Sequence, residues 1–219
     1  MTSLRSGGGV MRRLAVIGAG GHGRVVAEAA DMAGWTVLFF DDHAAGHRFG
    51  WPVCGPVAAL LADPEVVDGA IVAIGNNRLR LELTHRLMAA GMPMPAIVHP
   101  ATCASLRANL GAGTFLAAGA VVSIGATLGI ATIINTGASV DHDCTIADGV
   151  HLSPGVRLSG LVTIGECTWL GTGSNVRNDI VIGRDSIIGV GAAVVADIGD
   201  GVVAQGVPAR VVRANPAAS

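Results

Sequence analysis

One position in six is a branched aliphatic for 97 consecutive residues, and the frame never slips. Counting by sixes from Val98 gives Ala104, Leu110, Leu116, Val122, Leu128, Ile134, Val140, Ile146, Leu152, Leu158, Ile164, Leu170, Val176, Ile182, Ile188 and Val194; sixteen of these seventeen are Ile, Leu or Val. Four places after each stands Ala, Thr, Ser, Cys, Val or Ile, never a charged or large side chain. A period of six matches neither the 3.6 of an α-helix nor the 2 of a strand. It fits a solenoid in which each hexad sends one aliphatic inward and turns a corner on small residues. Successive coils then pair their backbones at the inter-strand spacing of roughly 4.8 Å. Val98 to about Ile198 is therefore expected to be a parallel β-helix, broken at Asp200, with Gly206-Val207-Pro208-Ala209 marking the exit.

The composition agrees. Hydrophobic residues make up 51% of the 219, but aromatics only 3%, with 32 Gly and no Tyr. No charge interrupts the 33 residues from Ala108 to Val140, yet Gly, Ser, Thr and Asn recur throughout them. A membrane span needs roughly 20 predominantly apolar residues, so this stretch is not one. A net charge of −2 offers no basic footprint for nucleic acid. Cys54, Cys103, Cys144 and Cys167 contain no Cys-x-x-Cys pair, which argues against a disulfide framework or a zinc ribbon. Residues 1–11 read as a flexible N-terminus without a secretory signal, so a cytoplasmic location is expected.

Before the repeat, residues 12–97 read as a βαβαβαβ domain. Leu14–Ile17 enters the loop Gly18-Ala19-Gly20-Gly21-His22-Gly23, and a helix follows from Arg24 to Ala33. Further strands are expected at Thr36–Phe40, Ala70–Ile74 and Ala96–Val98, with helices at Val57–Ala62 and Arg78–Ala90. Strands alternating with helices imply a parallel sheet. The loop fits Gly-x-Gly-x-x-Gly, which brings backbone N–H groups and a helix N-terminus to a phosphate. Asp41 and Asp42 follow near where a ribose-binding carboxylate belongs. About 85 residues supply only half a dinucleotide fold, so a mononucleotide or nucleotide-sugar suits this domain better than NAD. The β-helix then covers residues 98–199, and residues 200–219 form a C-terminal tail.

Within the repeat, His142 lies between Asp141 and Asp143 in a region poor in ionisable groups. An imidazole held by a carboxylate is a suitable general base near neutral pH, and either aspartate could hold it. Cys144 invites an acyl-cysteine reading, but it occupies the small inward corner position of its hexad, which favours a buried thiol. His43, His47, His85 and His99 have no constellation around them.

The hexads resemble those of the left-handed β-helix acyltransferases. The whole chain is similar to bacterial nucleotide-sugar N-acetyltransferases and their sialic acid O-acetyltransferase relatives. The likeness rests on Gly-Ala-Gly-Gly-His-Gly at 18–23, Phe-Phe-Asp-Asp at 39–42, Gly-Asn-Asn-Arg-Leu-Arg at 75–80, Asn135 with Val140-Asp141-His142-Asp143-Cys144, and Gly-Val-Pro-Ala at 206–209. It implies a left-handed β-helix with three hexads per coil and a homotrimer with active sites between neighbouring prisms. It implies transfer of acetyl from acetyl-CoA to the amine of a nucleotide-linked amino sugar, without a metal, with His142 as base. Gly160, one coil above His142, would offer its N–H to the thioester oxygen, with Asn135, His151 and Ser153 near the cofactor. For the nucleotide-sugar, the resemblance supports Gly18, Gly20, Gly21, His22 and Gly23 at phosphate, Asp41 or Asp42 at base or ribose, and Asn76, Asn77 and Arg80 at remaining polar groups. O-acetylation of a free sugar shares every motif. A zinc carbonic anhydrase β-helix would need three converging histidines, whereas the repeat holds only His99, His142 and His151.

Overall fold

The computed structural model describes residues 12–216, so the expectation for residues 1–11 lies outside the described residues, as does the end of the expected tail. The N-terminal sheet contains β1 (Arg13–Ile17), β2 (Thr36–Phe40), β3 (Gly46–Arg48), β4 (Trp51–Gly55) and β5 (Gly69–Val72), in the order β3-β4-β2-β1-β5. β1 is parallel to β2 and β5, and β2 to β4. β3 alone runs antiparallel, joined to β4 through Phe49-Gly50. This hairpin is absent from the sequence expectation. Helices α1 (Gly21–Met32), α2 (Val57–Ala62) and α3 (Asn77–Ala89) complete the domain. Leu14, Ala15, Val16 and Ile17 are all buried, as befits a central parallel strand covered on both faces.

Ala96–Val98 does not close this sheet, contrary to the sequence expectation. Ile97–Val98 instead pairs in parallel with Phe115–Leu116 and opens the solenoid. The Ile97 N–H donates to the Thr114 carbonyl at 2.8 Å and the His99 N–H to Leu116 at 2.9 Å. The reason lies in the register: Val98 is already the first inward aliphatic of the hexad series.

Seventeen two-residue strands follow, one per hexad, from β6 (Ile97–Val98) to β22 (Ala193–Val194). Every third strand returns to the same face, so each residue pairs with one eighteen positions away, as Val121 does with Cys103 and Ser139. The result is a three-faced prism. Face I carries β6, Phe115–Leu116, Ile133–Ile134, His151–Leu152, Trp169–Leu170 and Ile187–Ile188; face II includes Ser139–Val140, and face III Thr145–Ile146. The second residue of each strand points inward, and Leu116, Val140, Leu152, Ile164 and Leu170 are fully buried. Each such side chain contributes about 1.5–3 kcal/mol.

The expected tail is a cap. β23 (Val202–Gln205) continues face I in parallel beside Ile187–Ile188, and β24 (Arg210–Ala214) folds back on it antiparallel.

From residue 113 to 191, one turn residue per hexad holds a left-handed φ between 54° and 76°. Glycine fills eight of these positions; Ala131, Asp143, Leu161, Cys167, Asp179 and Asp185 fill the others. A non-glycine residue there costs about 1 kcal/mol, so each substitution of glycine calls for a reason.

The two parts share a core. Val26, Ala27, Ala29 and Ala30 of α1 pack with Ile97, Phe115, Ala117 and Ile133 on the outside of face I. Arg80 of α3 fixes the join from within. Fully buried, it donates to the carbonyls of Ala131 (2.9 Å), Gly149 (2.7 Å) and Ile74 (2.9 Å), and to Asn77 Oδ1 (2.9 Å). Asn77 in turn donates to the carbonyl of Cys167 at 2.9 Å. Replacing Arg80 by Met leaves the Ala131 and Gly149 carbonyls without this partner, at a cost of about 2 kcal/mol or more. Amide hydrogen exchange is expected to accelerate in α3 and in the turns at 130–131 and 148–149, while faces II and III keep wild-type protection.

Candidate active site

The glycine loop joins β1 to α1 at one wall of a cleft of about 500 Å³. Of the residues expected at the nucleotide-sugar, Gly18, Gly20, Gly21, His22, Asp41 and Asp42 line it. The three motif glycines have different reasons to be glycine. A β-carbon on Gly23 would sit 1.9 Å from the Gly18 carbonyl oxygen, so that close approach of helix to loop forbids one. Gly18 holds a φ of +100°. At Gly20 a β-carbon would meet nothing within 4 Å. Gly20 is also the N-cap of α1 and provides no side-chain cap. Open space beside uncapped first-turn N–H groups suits an anion such as phosphate.

Asp41 closes the loop from below. Its carboxylate accepts from Ala19 N–H at 2.7 Å and His43 N–H at 2.8 Å. Partial burial works against its charge, but the N–H donors of Ala19, His43 and Ala44 hold its carboxyl below the usual range. Asp42 accepts from Val57 N–H at 2.9 Å, at the start of α2. The cleft also contains residues that were not site candidates in the sequence: Val57, His43, and Leu79, Leu83 and Arg86 of α3. The last three fall at i, i+4 and i+7, one face of a helix, and that spacing was the available signal.

Three sequence candidates, Asn76, Asn77 and Arg80, stand outside this cleft. Arg80 is spent on protein oxygens at the join and does not reach the cleft. Asn77 belongs to the same clamp. Asn76 is the N-cap of α3, its Oδ1 accepting from Leu79 N–H at 3.0 Å, a local role that stabilises the helix start.

His22 turns from the glycine loop toward face I. Its ring stands edge-on to Phe115 at 5.6 Å and 6.2 Å from the ring of His151. Burial, and secondarily the Arg80 charge, lower His22 to about 4. Burial, then Arg80 and His22, lower His151 to about 3. Both are neutral imidazoles, so His22 offers phosphate no positive charge. His151 Nε2 lies 3.2 Å from the Asn135 side-chain amide. His22 Nε2 and His151 Nδ1 are buried without a hydrogen-bond partner among the described residues. Such atoms in a native fold call for a polar group to meet them. Ser153, one coil above Asn135, is buried, and its N–H donates to the Leu170 carbonyl at 3.0 Å.

His142 lies elsewhere, in the turn between faces II and III, the edge opposite the face on which α1 packs. The two flanking aspartates divide the work. Asp141 Oδ1 accepts from the His142 backbone N–H at 2.8 Å, while Asp143 Oδ2 lies 2.9 Å from ring Nδ1. Asp143 is one of the non-glycine residues with left-handed φ, at 58°. The side-chain hydrogen bond from Asp143 raises the imidazole above its ordinary value, opposed by desolvation and assisted by the Asp141 and Asp143 charges. With Nδ1–H donated to Asp143, the lone pair stands on Nε2. That atom lies under Gly160, where a β-carbon would sit 2.5 Å from it. The Gly160 N–H has no hydrogen-bond partner among the described residues. Cys144 faces the other way: it is buried, donates to the Ser159 carbonyl at 3.2 Å, and burial pushes its thiol up. A disfavoured thiolate is a poor nucleophile.

The PglD N-terminal domain family matches residues 13–87. The UDP-N-acetylbacillosamine N-acetyltransferase of Bacillus subtilis (strain 168) is 38% identical over 114 residues, 49% of this chain and 52% of that protein. The match thus spans about half the length of that curated relative. The acetyltransferase domain of PglB from Neisseria gonorrhoeae FA1090, solved with acetyl coenzyme A, is 41% identical with a TM-score of 0.90, covering 93% of this chain and 100% of that one. PerB from Caulobacter crescentus, solved with CoA and GDP-perosamine, is 38% identical with a TM-score of 0.87, covering 96% and 100%.

An imidazole acting as a base must be unprotonated, so with His142 in that role the raised value predicts an acid limb of the rate profile above the ordinary 6.5. Activity is expected to fall as pH drops through that limb. Asp143→Asn removes the first cause of the shift and moves the limb downward, whereas Asp141→Asn moves it less; kcat/KM measured against pH distinguishes the two.

Proposed function

Because the chain belongs to the PglD family of nucleotide-sugar N-acetyltransferases, we propose that it transfers acetyl from acetyl-CoA to the amine of a nucleotide-linked amino sugar. The observation that carries the chemistry is the stack of Gly160 on His142: a carboxylate-held imidazole with its lone pair on Nε2, beside an N–H donor without a partner. The sugar amine attacks the thioester carbonyl, forming a C–N bond as His142 accepts the amine proton. The Gly160 N–H meets the oxyanion, an interaction worth a few kcal/mol of barrier in such sites. The C–S bond then breaks and coenzyme A departs as a thiol with the proton His142 held. Cys144 takes no part.

The cleft supports the nucleotide half of the reading. The diphosphate lies at the uncapped start of α1 beside Gly20 and Gly21, with Asp41, Asp42 and Arg86 available to base, ribose or phosphate. The sugar extends from there past His22 toward His151 and Asn135 on face I, where neutral imidazoles hydrogen-bond without competing for the proton. A 4-amino sugar carried on UDP or GDP is the substrate class. O-acetylation is the reading against which a panel of nucleotide-linked amino sugars and free sugars, followed by thiol release, decides.

The placement of the parts supports a homotrimer with its active sites between protomers. The cleft of one protomer adjoins its own face I, while its own His142 lies on the opposite edge. Substrate held in that cleft meets the His142 of a neighbouring protomer instead.

His142→Ala is expected to lower kcat by about 10² or more with the fold intact, and near wild-type turnover would exclude it as the base. Gly20→Trp blocks the cleft from a position where a side chain has room. Co-expressing the two inactive variants should restore about one quarter of the wild-type sites, because mixed interfaces pair a good cleft with a good base. No recovery in mixed oligomers would place both halves of the site in one protomer.

A further inference from the structure

The coil beneath His142 also shapes the base. Asp143 stacks on the turn eighteen residues earlier, where its N–H donates to the Ile124 carbonyl at 3.2 Å. Beside that carbonyl is Gly125, and Asp143 Oδ1 hangs over it: a β-carbon there would sit 2.4 Å from that oxygen. The next atoms, Asp143 Cγ and N, would lie at 3.4 and 3.5 Å, within ordinary contact. Gly129 and Gly183 also lie beneath aspartate oxygens, but there the aspartate backbone nitrogen would be 2.7 and 2.5 Å away. At those positions the chain itself forbids a side chain. At Gly125 the only close contact is the carboxylate, beyond the strain that a left-handed φ of +76° puts on any side chain.

We propose that Gly125 is a positioning residue for acetyl transfer: its missing side chain is the space in which the Asp143 carboxylate lies while Oδ2 holds His142 Nδ1. This deepens the reading of His142 as base and rests on it. A methyl at position 125 is relieved most cheaply by rotating the carboxylate, since a side-chain torsion yields more readily than the hydrogen-bonded coil around it. That rotation draws Oδ2 away from Nδ1. The ring then loses both its orienting acceptor and its preference for the tautomer with the lone pair on Nε2. The charged groups around the ring are Asp141 and Asp143, and Asp141 is tied to the His142 backbone N–H. It does not replace the lost contact.

The test compares Gly125→Ala with Gly191→Ala. Both glycines hold left-handed φ, +76° and +67°, so the backbone strain is matched, and at Gly191 the new methyl meets nothing within 4 Å. His142 is titrated by proton NMR, its signal assigned with His142→Gln, and kcat, KM for acetyl-CoA and the pH profile are measured in parallel. Gly125→Ala is expected to lower kcat about tenfold with KM for acetyl-CoA unchanged. It should also shift both the acid limb and the His142 titration downward, whereas Gly191→Ala moves neither. In an Asp143→Asn background, Gly125→Ala should add nothing further, the mark of two residues acting through one contact. Identical titrations and rates for the two alanine variants overturn the proposal, as does an additive loss in the double variant. The titration needs no substrate, so it separates this inference from the parent reading. A wild-type protein inactive on every nucleotide-linked amino sugar defeats the activity, while the NMR shift still reports whether Gly125 sets the Asp143–His142 pair.

Discussion

Everything in the prism depends on one constraint, the parallel backbone ladder that joins each residue to its counterpart one coil away. Eighteen residues make one circuit, and no side chain can be placed without regard to the one beneath it. The interior meets this demand with columns of Leu, Ile and Val. The edges meet it with small residues and left-handed turns. The candidate site stands where an edge departs from that pattern: an Asp where the turn favours Gly, and an imidazole lying beneath a glycine that makes room for it. Ladder and site are the same object seen from two sides, since the spacing that stacks Leu158 on Val140 also stacks Gly160 on His142.

The second dependence is on Arg80. A buried guanidinium loses hydration that only several well-aligned acceptors offset, and here the acceptors belong to both parts of the molecule. Desolvation lowers its affinity for the proton to about 10, still leaving it charged at neutral pH. That charge in turn helps keep His22 and His151 neutral. One side chain thus holds the glycine-loop domain against face I and sets the electrical character of the space between them.

The solenoid was legible because a narrow interior admits few residue types and therefore prints its period on the sequence. β1, α1, β2 and α2 were legible for similar reasons, an apolar run or a helical stripe bounded by Gly or Pro. The β3–β4 hairpin was not. Its strands lie at a sheet edge, where Gly46–Arg48 is exposed and carries no alternation. At the site, the flanking acids single out His142 in the sequence, but do not show which acid holds the ring. That is decided by the left-handed backbone at Asp143, which folds its carboxylate back under the imidazole. In the Gly-Asn-Asn-Arg-Leu-Arg segment polar residues after a strand resemble a ligand loop, but Asn77 and Arg80 are held by protein carbonyls. Their partners, carbonyls of residues 131, 149 and 167, are distant in sequence and leave no local signature. Arg86 escaped notice for the opposite reason, since its spacing from Leu79 and Leu83 is ordinary for any helix.

A stack of identical coils has no natural end, and an uncovered last coil is a template on which another molecule could continue the series. The chain resolves this at face I by reversing direction. β23 still runs with the ladder, but β24 returns against it, exposed along its length and bearing Arg210 and Arg213. A further parallel rung from a second molecule finds the growing edge of that face already taken by a strand of the wrong polarity and with charge on it. The height of the prism is therefore fixed by a terminator as well as by the number of hexads, and the same device guards an unusually regular molecule against fibre formation.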